Sequence, residues 1–122
     1  ESNCFGYALG IKRWICVSNW GRLSNKEIAK RIEEAFNLIP VRKQDMVEGK
    51  EYFAMRFSPH KDDYHFMWRG KKGHWRHKMG GSPVEAISQK EVFGKAWLRR
   101  YRGHIYLYEY DRNSCVNYLD AY

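Results

Sequence analysis

One cysteine and two histidines supply the residue types of a nucleophile and its general base. Cys4 lies near the beginning of the sequence, and His65 and His77 lie in an aromatic stretch in its middle. A thiol attacks a carbonyl group efficiently when an imidazole accepts its proton and a further polar group orients that imidazole. These three side chains could therefore perform acyl transfer if the fold brings them together.

The segment that contains both histidines predicts a β-hairpin. Apolar and aromatic residues lie on both sides of the sequence Gly-Lys-Lys-Gly at 70–73, which is typical of a tight connection between two strands. If Trp68 pairs with His74, His65 lies directly opposite His77. Directly opposed Cβ atoms are about 4.5–5.5 Å apart, so one imidazole can hydrogen-bond to the other and fix its tautomer.

The alternation of side chains along a strand predicts two different faces for this hairpin. Both histidines share one face with Met67 and Trp75, which the same register pairs with each other. The other face holds aromatic and basic residues, namely Tyr64, Phe66, Trp68, Arg76 and Lys78.

The nucleophile is expected at the start of a short helix. Asn3 has the character of an N-cap, and Phe5, Ala8 and Leu9 have the spacing of an inward helix face. A thiol in the first helical turn lies at the positive end of the helix dipole, which favours the thiolate.

Four further elements follow from local patterns. They are a helix from about residue 25 to 37 that begins with a capping box at Ser24 and Glu27, a strand over Tyr52 to Phe57, a helix from Ser88 to about Arg100, and a strand over His104 to Tyr110. Residues 42–50 and 79–83 are predicted to be connections. The order of elements predicts one α+β domain over residues 1–122, with an antiparallel sheet and helices mostly on one face.

The composition limits the partners and the redox chemistry. A net charge of +8 and a pI near 9.5 favour an anionic partner, such as nucleic acid, an acidic polymer or a membrane surface. No run of residues approaches the roughly 18–20 apolar residues of a membrane helix, so no membrane span is expected. Cys4, Cys16 and Cys115 are too few for a disulfide framework and leave at least one free thiol.

The order of cysteine, histidine and a third polar residue resembles the papain-like cysteine peptidases. The similarity is greatest to the NlpC-type and CHAP-type enzymes, which act on bacterial cell-wall peptides. Asn3-Cys4-Phe5-Gly6 corresponds to their Asp-Cys-Ser-Gly type motif, with Asn3 in place of Asp and Phe5 in place of Ser. The spacing of His65 and His77 matches the base and the third residue of that group, and the strand at 52–57 precedes the base as in those enzymes.

The resemblance implies a papain-like, NlpC-like fold and assigns roles to individual residues. Cys4 is the nucleophile, His65 the base and His77 its orienting partner, and the backbone amide of Cys4 is an oxyanion donor. The residues expected to contact the substrate are Asn3, Trp75, Gly80 and Gly81. The implied substrate is a peptide or a peptidoglycan fragment, with no cofactor and no metal, and a secreted or cell-envelope location is slightly favoured.

Several alternatives remain open at this point. Asp62 or Asp63 could orient His65 in place of His77. Zinc could bind a set that comprises Cys4, His65, His74 and His77, although no zinc motif is present. A nucleic-acid-binding module would use the aromatic face of the hairpin with the basic residues Arg69, Lys71, Lys72, Arg76 and Lys78. A thiol enzyme that acts on a protein substrate is a further alternative.

Overall fold

The computed structural model describes residues 2–12, 22–58, 64–79, 81–94 and 104–111. The helices are α1 (Cys4–Leu9), α2 (Asn25–Ala35) and α3 (Gln89–Phe93), with a turn of 3-10 helix at Lys43–Asp45. The strands are β1 (Ile39–Pro40), β2 (Tyr52–Phe57), β3 (Tyr64–Arg69), β4 (Trp75–Lys78), β5 (Val84–Ile87) and β6 (Ile105–Glu109).

The six strands form one open antiparallel sheet in the order β1-β6-β2-β3-β4-β5. The predicted α+β class with an antiparallel sheet is therefore confirmed. Strand β6, the last of the described strands along the chain, lies inside the sheet between β1 and β2. Within the described parts of the chain, no helix has the length and apolar character needed to cross a membrane.

Helices α1 and α2 cover one side of the sheet, which we call the first face. Phe5 of α1 stacks on Phe66 of β3 with ring centroids 4.3 Å apart and an angle of 15° between the rings. Residues Ile28 and Ile32 of α2 join the same cluster. The strands contribute mainly aromatic side chains to the first face, namely Phe53, Met55, Phe57, Phe66 and Tyr108.

Helix α3 covers the opposite side, which we call the second face. Val92 and Phe93 of α3 pack against a smaller apolar cluster that comprises Tyr52, Ala54, Met67, Trp75, Ile87 and Leu107. The strand register adds Arg56, His65 and His77 to this face, because directly opposed residues point to the same side. The second face therefore combines apolar packing with buried polar groups.

The hairpin of β3 and β4 forms as predicted, but the predicted register is wrong. Arg69 pairs with Trp75 and Met67 pairs with His77, so His65 and His77 are diagonal neighbours instead of direct partners. The loop keeps its five residues but lies one position further along the chain. Its turn places Gly73 at φ 88°, with the Gly73 amide donating to the Gly70 carbonyl, and this left-handed conformation favours glycine.

The change of register does not alter which side of the hairpin each residue faces. The sum of paired residue numbers changes by two, and side chains alternate with a period of two, so every residue stays on its predicted side. His65, Met67, Trp75 and His77 therefore share the second face, as expected.

The local patterns predict most of the other elements. Both capping boxes form, with Ser24 and Glu27 at α2 and with Ser88 and Glu91 at α3. Two short strands, β1 and β5, were not predicted. Helix α3 ends at Phe93, before Gly94, whereas the prediction continued to about Arg100; residues 95–100 lie outside the described parts of the chain.

A hydrogen bond joins distant parts of the chain beside α1. The Tyr110 hydroxyl, directly after β6, donates to the Leu9 carbonyl at 2.9 Å, and both residues are buried. This bond anchors the carboxyl end of α1 on the first face.

Candidate active site

The two histidines form a buried pair on the second face. His65 Nε2 and His77 Nδ1 are 2.9 Å apart, and each residue is only 1% exposed. The ring centroids are 5.1 Å apart and the rings are nearly perpendicular, at 81°. Because β3 and β4 hold both backbones, the hydrogen bond fixes the orientation of the His65 imidazole.

Burial keeps His65 uncharged at neutral pH. Desolvation, with a smaller contribution from the charge of His77, lowers the pKa of His65 from 6.5 to about 3. Desolvation also lowers the pKa of His77, while the carboxylates of Glu85 and Glu91 act in the opposite direction. Burial therefore keeps His65 neutral and weakens its basicity, whereas the negative charges near the pair act on His77.

A buried arginine accompanies the pair. Arg56 lies directly opposite His65 in the pairing of β2 with β3 and is 3% exposed. Its Nη1 donates to the carbonyls of Val92 at 3.1 Å and Gly94 at 2.6 Å, which ties the end of α3 to the sheet. Burial lowers the pKa of Arg56, and its Nε has no acceptor among the described residues.

The sequence pattern does not single out this arginine as a site residue. Its one distinctive feature in the sequence is that it is the single charged residue in the apolar run Tyr52–Phe57. The sequence does not show which residues lie beside it in the sheet. A strand in which every residue is buried forces its one arginine to find carbonyl partners within the fold.

Cys4 begins helix α1, as predicted. The Asn3 side chain caps the helix, its Oδ1 accepting from the Gly6 amide at 2.9 Å. Cys4 is buried, with 9% of its surface exposed. Its backbone amide belongs to the first turn of the helix, where amides lack a partner within the helix.

Helix α1 contacts β3 and β4, the two strands that carry the histidines. Phe5 stacks on Phe66, and Tyr7 lies edge-on to Trp68 with centroids 6.4 Å apart. Two residues of α1 therefore contact aromatic side chains of β3. His65 is the second residue of β3.

The helix and the histidines belong to different faces of the sheet. Phe5 and Phe66 pack on the first face, whereas His65 and His77 point into the second. The described residues therefore place α1 and the two imidazoles on opposite sides of the sheet.

The predicted substrate-contacting residues differ in their surroundings. Asn3 is buried in its role as the helix cap, and Gly81 is exposed. Trp75 is buried against Phe93, with ring centroids 6.1 Å apart, and its Nε1 has no acceptor among the described residues. Gly80 and the alternative orienting residues Asp62 and Asp63 lie outside the described parts of the chain.

The proposed zinc ligands are not gathered into one site. His74 is exposed and alternates away from His65 and His77. Among the described residues, no three histidine, cysteine, aspartate or glutamate side chains are arranged to hold a metal ion.

The aromatic face of the hairpin is largely occupied by protein contacts. Phe66 is fully buried under Phe5, and Trp68 donates from Nε1 to Glu51 at 3.1 Å. Lys71, Lys72 and Arg76 are exposed. Basic residues are therefore accessible at this hairpin, whereas Phe66 is not available for stacking on a base.

Comparisons of the chain with protein-family models, with curated proteins and with solved structures found no match.

Proposed function

We propose that the protein is a cysteine-dependent amidase or peptidase of papain-like architecture that acts through a Cys4 thioester on a bacterial cell-wall peptide. The observation that carries the proposal is the buried 2.9 Å hydrogen bond between His65 and His77, on the two strands that α1 contacts. The resemblance of Asn3-Cys4-Phe5-Gly6 to the motif of the NlpC-type enzymes supplies the substrate class.

The histidine pair has the properties that a general base and its orienting partner require. The base must be neutral at working pH and must present one ring nitrogen to the nucleophile. Burial lowers the pKa of His65, which keeps the imidazole neutral at working pH but makes it a weaker proton acceptor than an ordinary histidine. Its Nε2 is hydrogen-bonded to Nδ1 of His77, and in this proposal Nδ1 of His65 accepts the proton.

The proposed reaction has two steps. The Cys4 sulfur attacks the amide carbonyl while its proton passes to Nδ1 of His65, and the amide carbon–nitrogen bond then breaks as His65 protonates the leaving amine. Water next attacks the thioester while His65 accepts a proton, which returns to the Cys4 sulfur as the carboxylic acid leaves. The Cys4 backbone amide donates to the oxyanion in both steps.

The charge of the protein suits this substrate class. Cell-wall peptides carry free carboxylates, and the chain has a net charge of +8. Lys71, Lys72 and Arg76 are exposed at the hairpin and would attract such a substrate at low ionic strength.

Digestion of purified peptidoglycan, followed by mass spectrometry of the fragments, tests the proposal. We expect new amino termini or free carboxylates with the wild-type protein and none with Cys4→Ala. His65→Gln should lower the rate at least about 100-fold, since general-base catalysis contributes about 10²–10⁴-fold. His104→Gln, which changes an exposed histidine of a different segment, is the matched control and should retain full activity.

Alkylation of the cysteines distinguishes a wrong substrate class from a wrong reaction mechanism. Iodoacetamide should label Cys4 of the native protein before Cys16 and Cys115, and His65→Gln should slow this labelling. Selective labelling without peptidoglycan cleavage would reject the substrate class alone. Equal labelling of all three cysteines, unaffected by His65→Gln, would reject the thiol mechanism.

Binding of an anionic polymer is the second candidate function, because Lys71 and Lys72 are exposed in the hairpin loop. Oligonucleotide binding that persists in Cys4→Ala and is lost in a Lys71→Glu, Lys72→Glu double variant would support it. Titration of the wild-type protein at several salt concentrations would show whether phosphate contacts dominate.

A further inference from the structure

We propose that the outer edge of β6 binds an extended peptide segment of a partner protein, which adds a strand to the sheet beside Ile105. Three features of this edge carry the proposal: an unpaired backbone position, a groove with walls from both faces of the sheet, and two charged side chains without ionic partners. None of these residues belongs to the candidate active site, so the proposal does not depend on the proposed function.

Strand β1 covers only part of the outer edge of β6. It comprises Ile39–Pro40, and the Val41 amide then donates to the Leu107 carbonyl at 3.1 Å. Backbone groups of a strand alternate between its two edges, so the amide and carbonyl of Ile105 point to the same outer edge as those of Leu107. No described residue pairs with Ile105 on that edge. An unpaired edge of this kind is a template on which another chain can form a strand.

A groove of about 380 Å³ lies at this edge. Tyr106 and Tyr108 line it from the first face, whereas Phe93 of α3 and Ile105 line it from the second. Successive side chains of an added strand would also point alternately to the two faces. The groove can therefore receive both sets of side chains of an extended peptide, as in recognition by strand addition.

The groove carries one charge of each sign. The Glu33 carboxylate of α2 lies on the side of the first face, where it adds to the effect of burial in raising the pKa of Tyr108. The Lys43 ammonium lies on the side of the second face, with Nζ 4.8 Å from the centroid of the Phe93 ring. Neither charged group forms an ion pair with a described residue. A peptide with a basic side chain toward the first face and an acidic one toward the second would complement both charges.

A second copy of the chain fits this edge less well than a separate peptide. Symmetric pairing of two β6 strands around Ile105 would need the outer backbone groups of Leu107 in each copy. The Leu107 carbonyl already accepts from the Val41 amide, so β1 obstructs that arrangement. A peptide that begins to pair at Ile105 does not need the Leu107 groups.

Titration of ¹⁵N-labelled protein with the peptide Ac-Thr-Val-Lys-Glu-Val-Thr-NH2 tests the proposal. Its Val and Thr residues favour an extended conformation, in which the adjacent Lys and Glu side chains point to opposite faces. In nuclear magnetic resonance spectra we expect the Ile105 amide signal to move downfield as the amide donates to the peptide. At a peptide concentration ten times the Kd, hydrogen exchange of this amide should slow about tenfold.

Two N-methylated forms of the peptide distinguish strand pairing from contacts of side chains alone. One form is methylated at the amides of the second and fourth residues, and the other at those of the third and fifth. Because successive amides of a strand point to opposite edges, one form should bind like the parent peptide and the other should bind at least about tenfold more weakly. Equal affinities of the two forms would overturn strand addition.

Charge reversal tests the roles of the two charged side chains. Lys43→Glu and Glu33→Lys should each weaken binding of the parent peptide about three- to tenfold. Lys26→Glu, an exposed change on α2 outside the groove, is the control and should leave binding unchanged. An equal effect of all three variants would overturn the assignment of these two charges to the groove.

Three further outcomes would overturn the proposal. The Ile105 signal could fail to respond to the peptide, or its amide could already be protected from exchange in the free protein. A shift of the Ile105 signal with protein concentration alone would identify a second copy of the chain as the occupant.

Discussion

The first face of the sheet is packed with aromatic rings, whereas the second face contains an arginine and two histidines among its apolar residues. On the first face, Phe5, Phe53 and Phe66 contact one another with centroids between 4.3 and 6.4 Å apart. On the second face, the Nε atoms of Arg56 and Arg69 and Nε1 of Trp75 are buried without an acceptor among the described residues. Buried polar groups cost stability unless they are paired, so the second face gives up stability that the first face retains.

This difference suggests that the first face stabilises the fold and that the second face holds the polar groups. The first face supplies the larger cluster of buried apolar residues, and close packing of apolar groups stabilises the fold. The second face holds the groups that can exchange protons, on strands that the first face keeps in place. Three measurements test this difference between the faces.

The largest effect is expected on the first face. Phe66→Ala removes a fully buried ring that stacks on Phe5, and large-to-small changes of this kind cost about 3–5 kcal/mol. Urea unfolding should report that loss in the free energy of unfolding. Arg76→Ala, an exposed change on the same side of the hairpin, is the control and should cost less than about 0.5 kcal/mol. A small loss in Phe66→Ala would contradict the assignment of the main core to this face.

The second face should make stability depend on pH. The unfolded chain protonates His65 near its ordinary pKa of 6.5, whereas the folded chain does so only near pH 3. The contribution is therefore complete above pH 6.5 and is lost progressively as the pH falls toward 3. Between pH 7 and pH 5 the free energy of unfolding should fall by about 2 kcal/mol from this residue.

Urea unfolding at several pH values checks this dependence. His65→Gln should flatten the slope between pH 7 and pH 5, and His104→Gln, at an exposed site, should leave it unchanged. Burial also lowers the pKa of His77, which adds a contribution of the same sign. Equal slopes in the wild-type protein and His65→Gln would show that His65 is not buried as a neutral group.

The smallest effect concerns Arg56. Arg56→Met removes the Nη1 group that donates to the Val92 and Gly94 carbonyls, which lowers stability. It also removes a buried positive charge, which raises stability, so the two effects partly cancel. We expect a net loss of about 1 kcal/mol, together with faster hydrogen exchange in α3. Arg69→Met, which alters a weaker contact of 3.5 Å, should leave exchange in α3 unchanged. Unchanged exchange in Arg56→Met would show that the arginine does not anchor α3.

Sequence patterns predict the elements better than the contacts between them. Ser24 and Ser88 cap the predicted helices because their signals lie within four residues. The hairpin was predicted with the correct faces but the wrong pairs, because the turn depends on which glycine takes a positive φ, and that is Gly73. Strand β5 has three exposed residues of four and therefore lacks an alternating pattern.

In the candidate site, too, some features follow from local sequence patterns and others depend on contacts between strands. Residue type and spacing single out Cys4 and the histidines as candidates, whereas the position of Arg56 beside His65 appears only when the strand neighbours are known. The order of strands is a long-range property, and no local pattern in the sequence encodes it.

The bond from Tyr110 to Leu9 and the internal position of β6 have a consequence for biosynthesis. Helix α1 is translated before the other described elements, but its anchor Tyr110 comes about a hundred residues later, directly after a central strand of the sheet on which the helix packs. Contacts between such distant segments form slowly. Helix α1 therefore stays without its anchor and without a complete sheet until β6 and Tyr110 have been translated.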